Sequence, residues 1–247
     1  MADRCHQPVV VGVDGSRAAL NAVRWATAEA VNLDVPLRIV HVTPIGEQAS
    51  CRDAVLERAE DAAIQTMESV RLDSVLAVGN PGDVLVGESP HAQMMCVGAR
   101  ARQFAQSPLF GPTASALAER ARCPVAIIRS RGDGTASIDG VVAVVLSDEA
   151  DNDDVIHLAM HEGRLRRATV RQIDRRTDSW VRRYPDVDVE TVAAGTGHAG
   201  LDGKRPAAGV GLAVVGGADA NRITGLRVPN CHPIAGYPDC SVLLLRS

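Results

Sequence analysis

The 247-residue sequence predicts an α/β fold of two tandem units, each a doubly wound parallel sheet, with the second a degenerate copy of the first. Three observations predict it. Short Val-rich runs alternate with segments whose apolar residues recur every three or four positions, as buried strands alternate with amphipathic helices. The pattern restarts at Gly140, after a stretch rich in Gly, Asp and Ser. The halves also close on related segments, Cys123-Pro-Val-Ala-Ile-Ile-Arg-Ser130 and Cys240-Ser-Val-Leu-Leu-Leu-Arg-Ser247, identical at four of eight positions.

The elements of the first half follow in order. Val9 to Val13 is a nearly continuous apolar run, the mark of a strand buried on both faces. Asp14-Gly15-Ser16 leads into a helix whose stripe is Ala19, Val23, Ala26 and Ala30, with Ser16 as its N-cap. Pro36 to Val42 is the second strand. A second helix spans about Asp53 to Val70, with Val55, Ala59, Ala63, Met67 and Val70 on one face. Ser74 to Val78 is the third strand, and Gly79-Asn80-Pro81-Gly82 punctuates before a short helix. Gln93 to Val97 is the fourth strand, ending at Gly98. A loop reaches Phe110, and a helix with Ala114, Leu117, Ala118 and Ala121 on one face precedes the fifth strand, Pro124 to Ile128. Short connections between alternating elements argue for a parallel sheet with helices on both faces. The boundaries are residues 1–130 for the first domain, 131–139 for a linker and 140–247 for the second.

Bulk properties narrow the function. Six residues are aromatic, so Val, Ala, Leu and Ile must build the core. A net charge of -4 gives no general reason to expect nucleic acid or an acidic membrane. Met1 to Pro8 lacks an apolar signal segment, and no apolar run approaches the roughly 18 residues of a membrane span. A cytoplasmic protein is the expectation. The six cysteines form no CxxC pair; Cys96, Cys123 and Cys240 sit in Val-rich runs and read as small buried apolar side chains.

Ligands of open parallel sheets sit beyond the carboxyl ends of the strands, where strand order reverses. Two such ends carry suitable chemistry. Asp14 ends the first strand, with a carboxylate for ribose hydroxyls or a bound metal. Gly98 ends the fourth, opening a loop that reaches Gly111 at a helix start, where backbone amides and the helix dipole favour an anion. Arg100 and Arg102 add cations, and Thr113 a hydroxyl. Each feature alone fits a turn, a cap or a strand terminator. Asp14, Gly98 and Gly111 on one sheet edge favour a site.

Val10-Val-Gly-Val-Asp-Gly-Ser16, Val40-His-Val-Thr-Pro44, Gly79-Asn-Pro81, Cys96-Val-Gly98 and Cys123-Pro-Val125 resemble, in order and spacing, the universal stress protein family and most closely its tandem actinobacterial members. The motif-grade match covers roughly the first half. The resemblance implies a Rossmann-like five-stranded sheet of order 3-2-1-4-5 and an ATP site, with Mg²⁺ as a companion. It carries over Gly12, Asp14, Val42, Gly98 and Gly111; Arg100 and Thr113 are inferred beside them. ATP-binding members carry G-x2-G-x9-G-[ST] at this loop. Here Gly98 and Gly111 keep the spacing, while Ala101 and Pro112 replace the second Gly and the Ser or Thr.

The second half departs further. Aligning Val141 to Val145 with Val9 to Val13 puts Leu146 in the place of Asp14. Val215-Gly216 echoes Val97-Gly98, but Pro229 stands where the next glycine belongs, so no nucleotide is expected there. His157 and His161, with Asp153 a turn earlier, share a helix face, which reads as a solvated face rather than a metal site. Arg164 to Arg183 holds eight arginines and two acids, a solvated face or a docking surface for an acidic partner. No Ser/His/Asp or Cys/His catalytic set assembles. The expectation is a stress-associated, ATP-controlled regulatory module, not an efficient enzyme. Its partners are an adenine nucleotide, with a protein partner or self-association through edge strands. The rival is a nucleotide-free interaction module whose loop has decayed, and a weaker third option is a nucleotide-dependent transferase.

Overall fold

The computed structural model describes residues 7–46, 53–100, 110–136, 138–145, 152–172, 182–191, 210–216 and 240–246. The chain divides into two compact units, Met1–Ala136 with Arg246–Ser247, and Ser137–Leu245.

In the first unit, strand β1 (Val9–Val13) leads to helix α1 (Arg17–Asn32), and β2 (Leu37–Thr43) to α2 (Ala54–Thr66). Next come β3 (Leu72–Val78), α3 (Pro81–Glu88), β4 (Met94–Ala99), α4 (Pro112–Arg120) and β5 (Val125–Arg129). The strands pair in parallel in the order β3-β2-β1-β4-β5. Because the order reverses beside β1, the crossovers before and after it fall on opposite faces: α1 packs with α2, and α3 with α4. The helices start where short polar side chains can take up orphan amides. Ser16 Oγ accepts from the Ala19 amide at 3.2 Å. Asp53 Oδ1 accepts from Val55 and Leu56, and Asn80 Oδ1 from Gly82 and Asp83, with Pro81 in the first helical turn. The stripe Ala19, Val23, Ala26 and Ala30 is buried, as are Ala114, Leu117, Ala118 and Ala121.

In the first unit three expected boundaries move by two residues or more. Helix α2 stops at Thr66, because Met67 turns to extended backbone (φ -150°, ψ 112°). Met67 and Val70 therefore leave the predicted stripe. Strand β4 runs through Gly98 to Ala99, because pairing with β5 continues to Ala99 opposite Arg129. Strand β3 begins at Leu72 rather than Ser74, held by pairing with Leu37.

The second unit contains β6 (Val141–Val145), α5 (Asn152–Arg166), β7 (Val170–Gln172), β8 (Val189–Thr191), β9 (Val210–Val215) and β10 (Ser241–Leu244). Its strands are also all parallel, in the order β8-β7-β6-β9-β10, which repeats the order of the first unit element for element. Helix α5 packs on β6, β7 and β9, with Asp153 and Asp154 in its first turn and Arg164 and Arg166 in its last, both favourable to the helix dipole.

The pairings refine the internal alignment. Matching Cys123 to Cys240 sets Val125 against Val242 and Ile127 against Leu244. Ile127 pairs with Val97, which pairs with Gly12; Leu244 pairs with Val215, which pairs with Val145. Val145 therefore matches Gly12, and the counterpart of Asp14 is Ser147 rather than Leu146. The register between β6 and β9 also shifts between Val141 and Val142, where Gly211 is left over between their partners Val210 and Leu212. Leu146, Ser147, Glu149, Pro229 and residues 173–181 of the arginine-rich stretch lie outside the described residues, as do Ala101 and Arg102. No helix among the described residues is long and apolar enough to cross a membrane.

Candidate functional site

The carboxyl ends of β1, β2 and β4, with the starts of α1, α3 and α4, enclose a cleft of about 700 Å³ in the first unit. Gly12, Asp14, Val42, Gly98, Arg100, Gly111 and Thr113 all line it. Residues up to a hundred positions apart meet there because β1 and β4 are neighbours, so the loops after them open at the same edge.

Each residue has a local cause. Asp14 follows the last residue of β1 and is exposed. Its Oδ1 accepts from the Ser16 amide at 3.0 Å, which orients the carboxylate at the mouth of the cleft and shapes the turn into α1. Gly15 completes that turn at φ 75°, in the left-handed region. Gly12 leaves room for Leu85 of α3: a Cβ here would stand 2.6 Å from Leu85 Cδ1. Leu85, Val40, Val42 and Val97 form an apolar slot.

The two loop glycines differ. A Cβ on Gly98 would lie 2.3 Å from the carbonyl carbon and oxygen of Ala18 and 2.6 Å from the Ala19 nitrogen. Gly98 therefore lets the first turn of α1 seat against β4, so protein packing already accounts for it. Among the described residues, a Cβ on Gly111 would meet nothing within 4 Å. Gly111 is the N-cap of α4 with no side-chain cap, so the start of this helix opens to the cleft. Pro112 has no N–H, which leaves the Thr113 and Ala114 amides as the donors of the first turn.

The cleft residues that were not anticipated include Leu85, Phe110 and Arg129. Arg129 ends β5 and is 2 % exposed. Its guanidinium lies 5.7 Å from the centroid of the Phe110 ring, and Nη1 donates to the Arg100 carbonyl at 3.1 Å. A signal for it existed, since Arg-Ser closes the repeated segment in both halves, at 129–130 and 246–247.

Arg164, Arg166 and Arg171 each form an ion pair within the second unit. Arg164 makes two bonds to Asp186, at 2.5 and 2.8 Å, and lies over the Tyr184 ring. Arg166 meets Glu162 at 2.9 Å and Arg171 meets Glu190 at 3.0 Å. His157 is exposed and bonds the Tyr184 hydroxyl. These contacts give part of the basic stretch a structural role, tying α5 and β7 to β8 and the turn before it.

A model of the universal stress protein family matches residues 6–129. The chain is 34% identical over 261 residues to universal stress protein Rv2624c of Mycobacterium tuberculosis, with 96% of each chain covered. It is 32% identical to universal stress protein Rv3134c of the same organism, over 97% of this chain and 96% of that one. Among solved structures, a universal stress protein from Archaeoglobus fulgidus superposes with a TM-score of 0.61 over 98% of both chains at 12% identity, a likeness of fold.

Proposed function

The chain belongs to the universal stress protein family, and from that premise we propose that it is a stress-response regulatory module that binds one adenine nucleotide, ATP with Mg²⁺, in the cleft of its first unit. The observation that carries this reading is the meeting of an apolar slot, an oriented carboxylate and an open helix start in a single cleft. Its volume falls in the range of small-molecule sites, roughly 300 to 1,000 Å³. Val40, Val42 and Leu85 suit a flat purine. Asp14 can accept from ribose hydroxyls or face the metal. Gly111 and the amides of Thr113 and Ala114 offer donors and a positive dipole end to phosphate.

Among the described residues lining the cleft, Asp14 is the one carboxylate, and it already serves the Ser16 amide. A module that responds to bound nucleotide, rather than one that hydrolyses it quickly, follows from that chemistry. Pro112 favours the second reading, a nucleotide-free interaction module, because it removes a donor at the helix start.

Titration calorimetry with ATP and Mg²⁺ on the wild type and on Asp14→Ala decides between them. Saturable binding near one site per chain, weakened at least about tenfold in the variant, is the expected result. No heat and no thermal shift with the wild type would reject the nucleotide reading.

A further inference from the structure

Strand β2 sets Val40 and Val42 on the wall of the cleft, so His41 between them points to the opposite face of the sheet, where α2 begins. There its Nδ1 lies 2.8 Å from Asp53 Oδ2. Asp53 serves two elements at once. Its Oδ1 caps α2, accepting from the Val55 and Leu56 amides at 2.9 and 3.0 Å, while Oδ2 faces the ring. An ionised carboxylate only accepts, so the ring nitrogen donates and the bond is charge-assisted. The two side chains are 16 % and 15 % exposed, which limits screening by water. The first turn of α2 is thereby tied to β2 at His41, which pairs with Val13, the residue before Asp14. Val55, in that first turn, covers the turn that carries Asp14. A Cβ on Gly15 would stand 3.2 Å from Val55 Cγ2 and 3.7 Å from Cγ1.

We propose that His41 and Asp53 are positioning residues of the nucleotide cleft: through Val55 and Gly15 they hold the turn that aims the Asp14 carboxylate. The inference rests on the nucleotide reading above and deepens it. The path is contiguous, from ring to carboxylate, carboxylate to the Val55 amide, Val55 methyl groups to Gly15, and Gly15 to Asp14. Asp14 is exposed, and its Oδ1 is oriented by the Ser16 amide on the other side of Gly15. A carboxylate on a short exposed turn gives up freedom when it takes a ligand, and a turn already pressed by Val55 has less to give up. His41 and Asp53 lie across the sheet from the cleft, so their effect on a ligand passes through the turn rather than through contact.

The test is titration calorimetry with ATP and Mg²⁺ on the full chain, with a melt and a backbone amide spectrum of every variant. His41→Leu removes the donor, and His41→Asn restores one the same number of bonds from the backbone as Nδ1. His41→Leu is expected to weaken ATP by about 3- to 10-fold, and His41→Asn to stay within about twofold of the wild type. In the Asp14→Ala background His41→Leu should add less than about twofold, because the carboxylate it helps to aim is gone. The Gly15 and Ser16 amide resonances should shift in His41→Leu and return in His41→Asn. If His41→Leu does not fold, Asp53→Asn carries the same comparison, since it keeps a helix cap while setting an amide nitrogen against the ring. If Asp14→Ala binds too weakly to measure, the Asn rescue and the Ser16 amide decide. Equal losses in the two backgrounds, or an Asn variant as weak as the Leu variant, would assign the pair to the stability of α2 alone and overturn the proposal. Unchanged ATP binding in His41→Leu would overturn it while leaving the nucleotide reading intact. A wild type that does not bind ATP overturns both.

Discussion

The two units share one strand order, β3-β2-β1-β4-β5 in the first and β8-β7-β6-β9-β10 in the second, yet they differ where a parallel sheet would hold a ligand. The matched glycines show it best. Gly98 brings the backbone of α1 so close to β4 that a single added carbon would overlap Ala18. At its counterpart, Gly216, the added carbon would stand 3.3 Å from the Val155 side chain and, among the described residues, meet no backbone within 4 Å. Gly12 likewise gives way to Val145. The same topology can thus be kept by buried apolar strands alone, while a cleft requires glycines and polar turns at the strand ends.

The sharpest way to break this comparison is to add the missing carbon in each unit. Gly98→Ala is expected to cost about 3 kcal/mol, since overpacking against backbone cannot be relieved by a rotamer change. Gly216→Ala should stay within about 1 kcal/mol of neutral, because the Val155 side chain can yield. Calorimetric melts of the two variants check this, and equal losses would remove the distinction.

A smaller effect lies at α2, a helix with no equal in length among the described residues between β7 and β8. Its N-cap, Asp53, also bonds the His41 ring at 2.8 Å. Burial pushes the Asp53 carboxyl upward, but the Leu56 amide, the His41 ring and the Val55 amide outweigh it and hold the carboxyl below its ordinary value. A carboxylate lowered on folding stabilises the protein above its unfolded pKa, and that contribution is lost as pH falls through the folded value. Asp53→Ala should therefore cost about 1 kcal/mol at neutral pH and flatten the acid side of the stability profile, read by denaturation at several pH values.

Gly111→Ala should also cost little, under about 1 kcal/mol from the poorer N-cap, because no described residue crowds the position. Under the proposed function the same change should weaken ATP about tenfold, a loss of affinity without a matching loss in the melt. A variant that keeps full affinity would show that the helix start does not face the ligand.

Much of the first unit was legible because its signals are local. Ser16 and Asp53 precede helical stripes, Asn80-Pro81 opens α3, and the Val-rich runs fit doubly buried strands. The second unit was legible only as a repeat of order and of its closing segment. Its alignment went one residue astray because Val141 to Val145 is a continuous apolar run, where every shift looks alike. The seven candidate residues that line the cleft were traceable to strand ends and family spacing. Leu85, Phe110 and Arg129 were not, since α3 and β5 reach the cleft only through long-range packing.

By itself the sequence determined which segments are strands and helices, where they are capped, and that the pattern occurs twice, because periodicity, N-caps and turns act over a few residues. Only the tertiary structure decided the cross-strand register, the purpose of each glycine, and the burial of Arg129 beside the cleft. Those depend on which atoms distant segments bring within a few ångströms, a property of packing that no local pattern encodes.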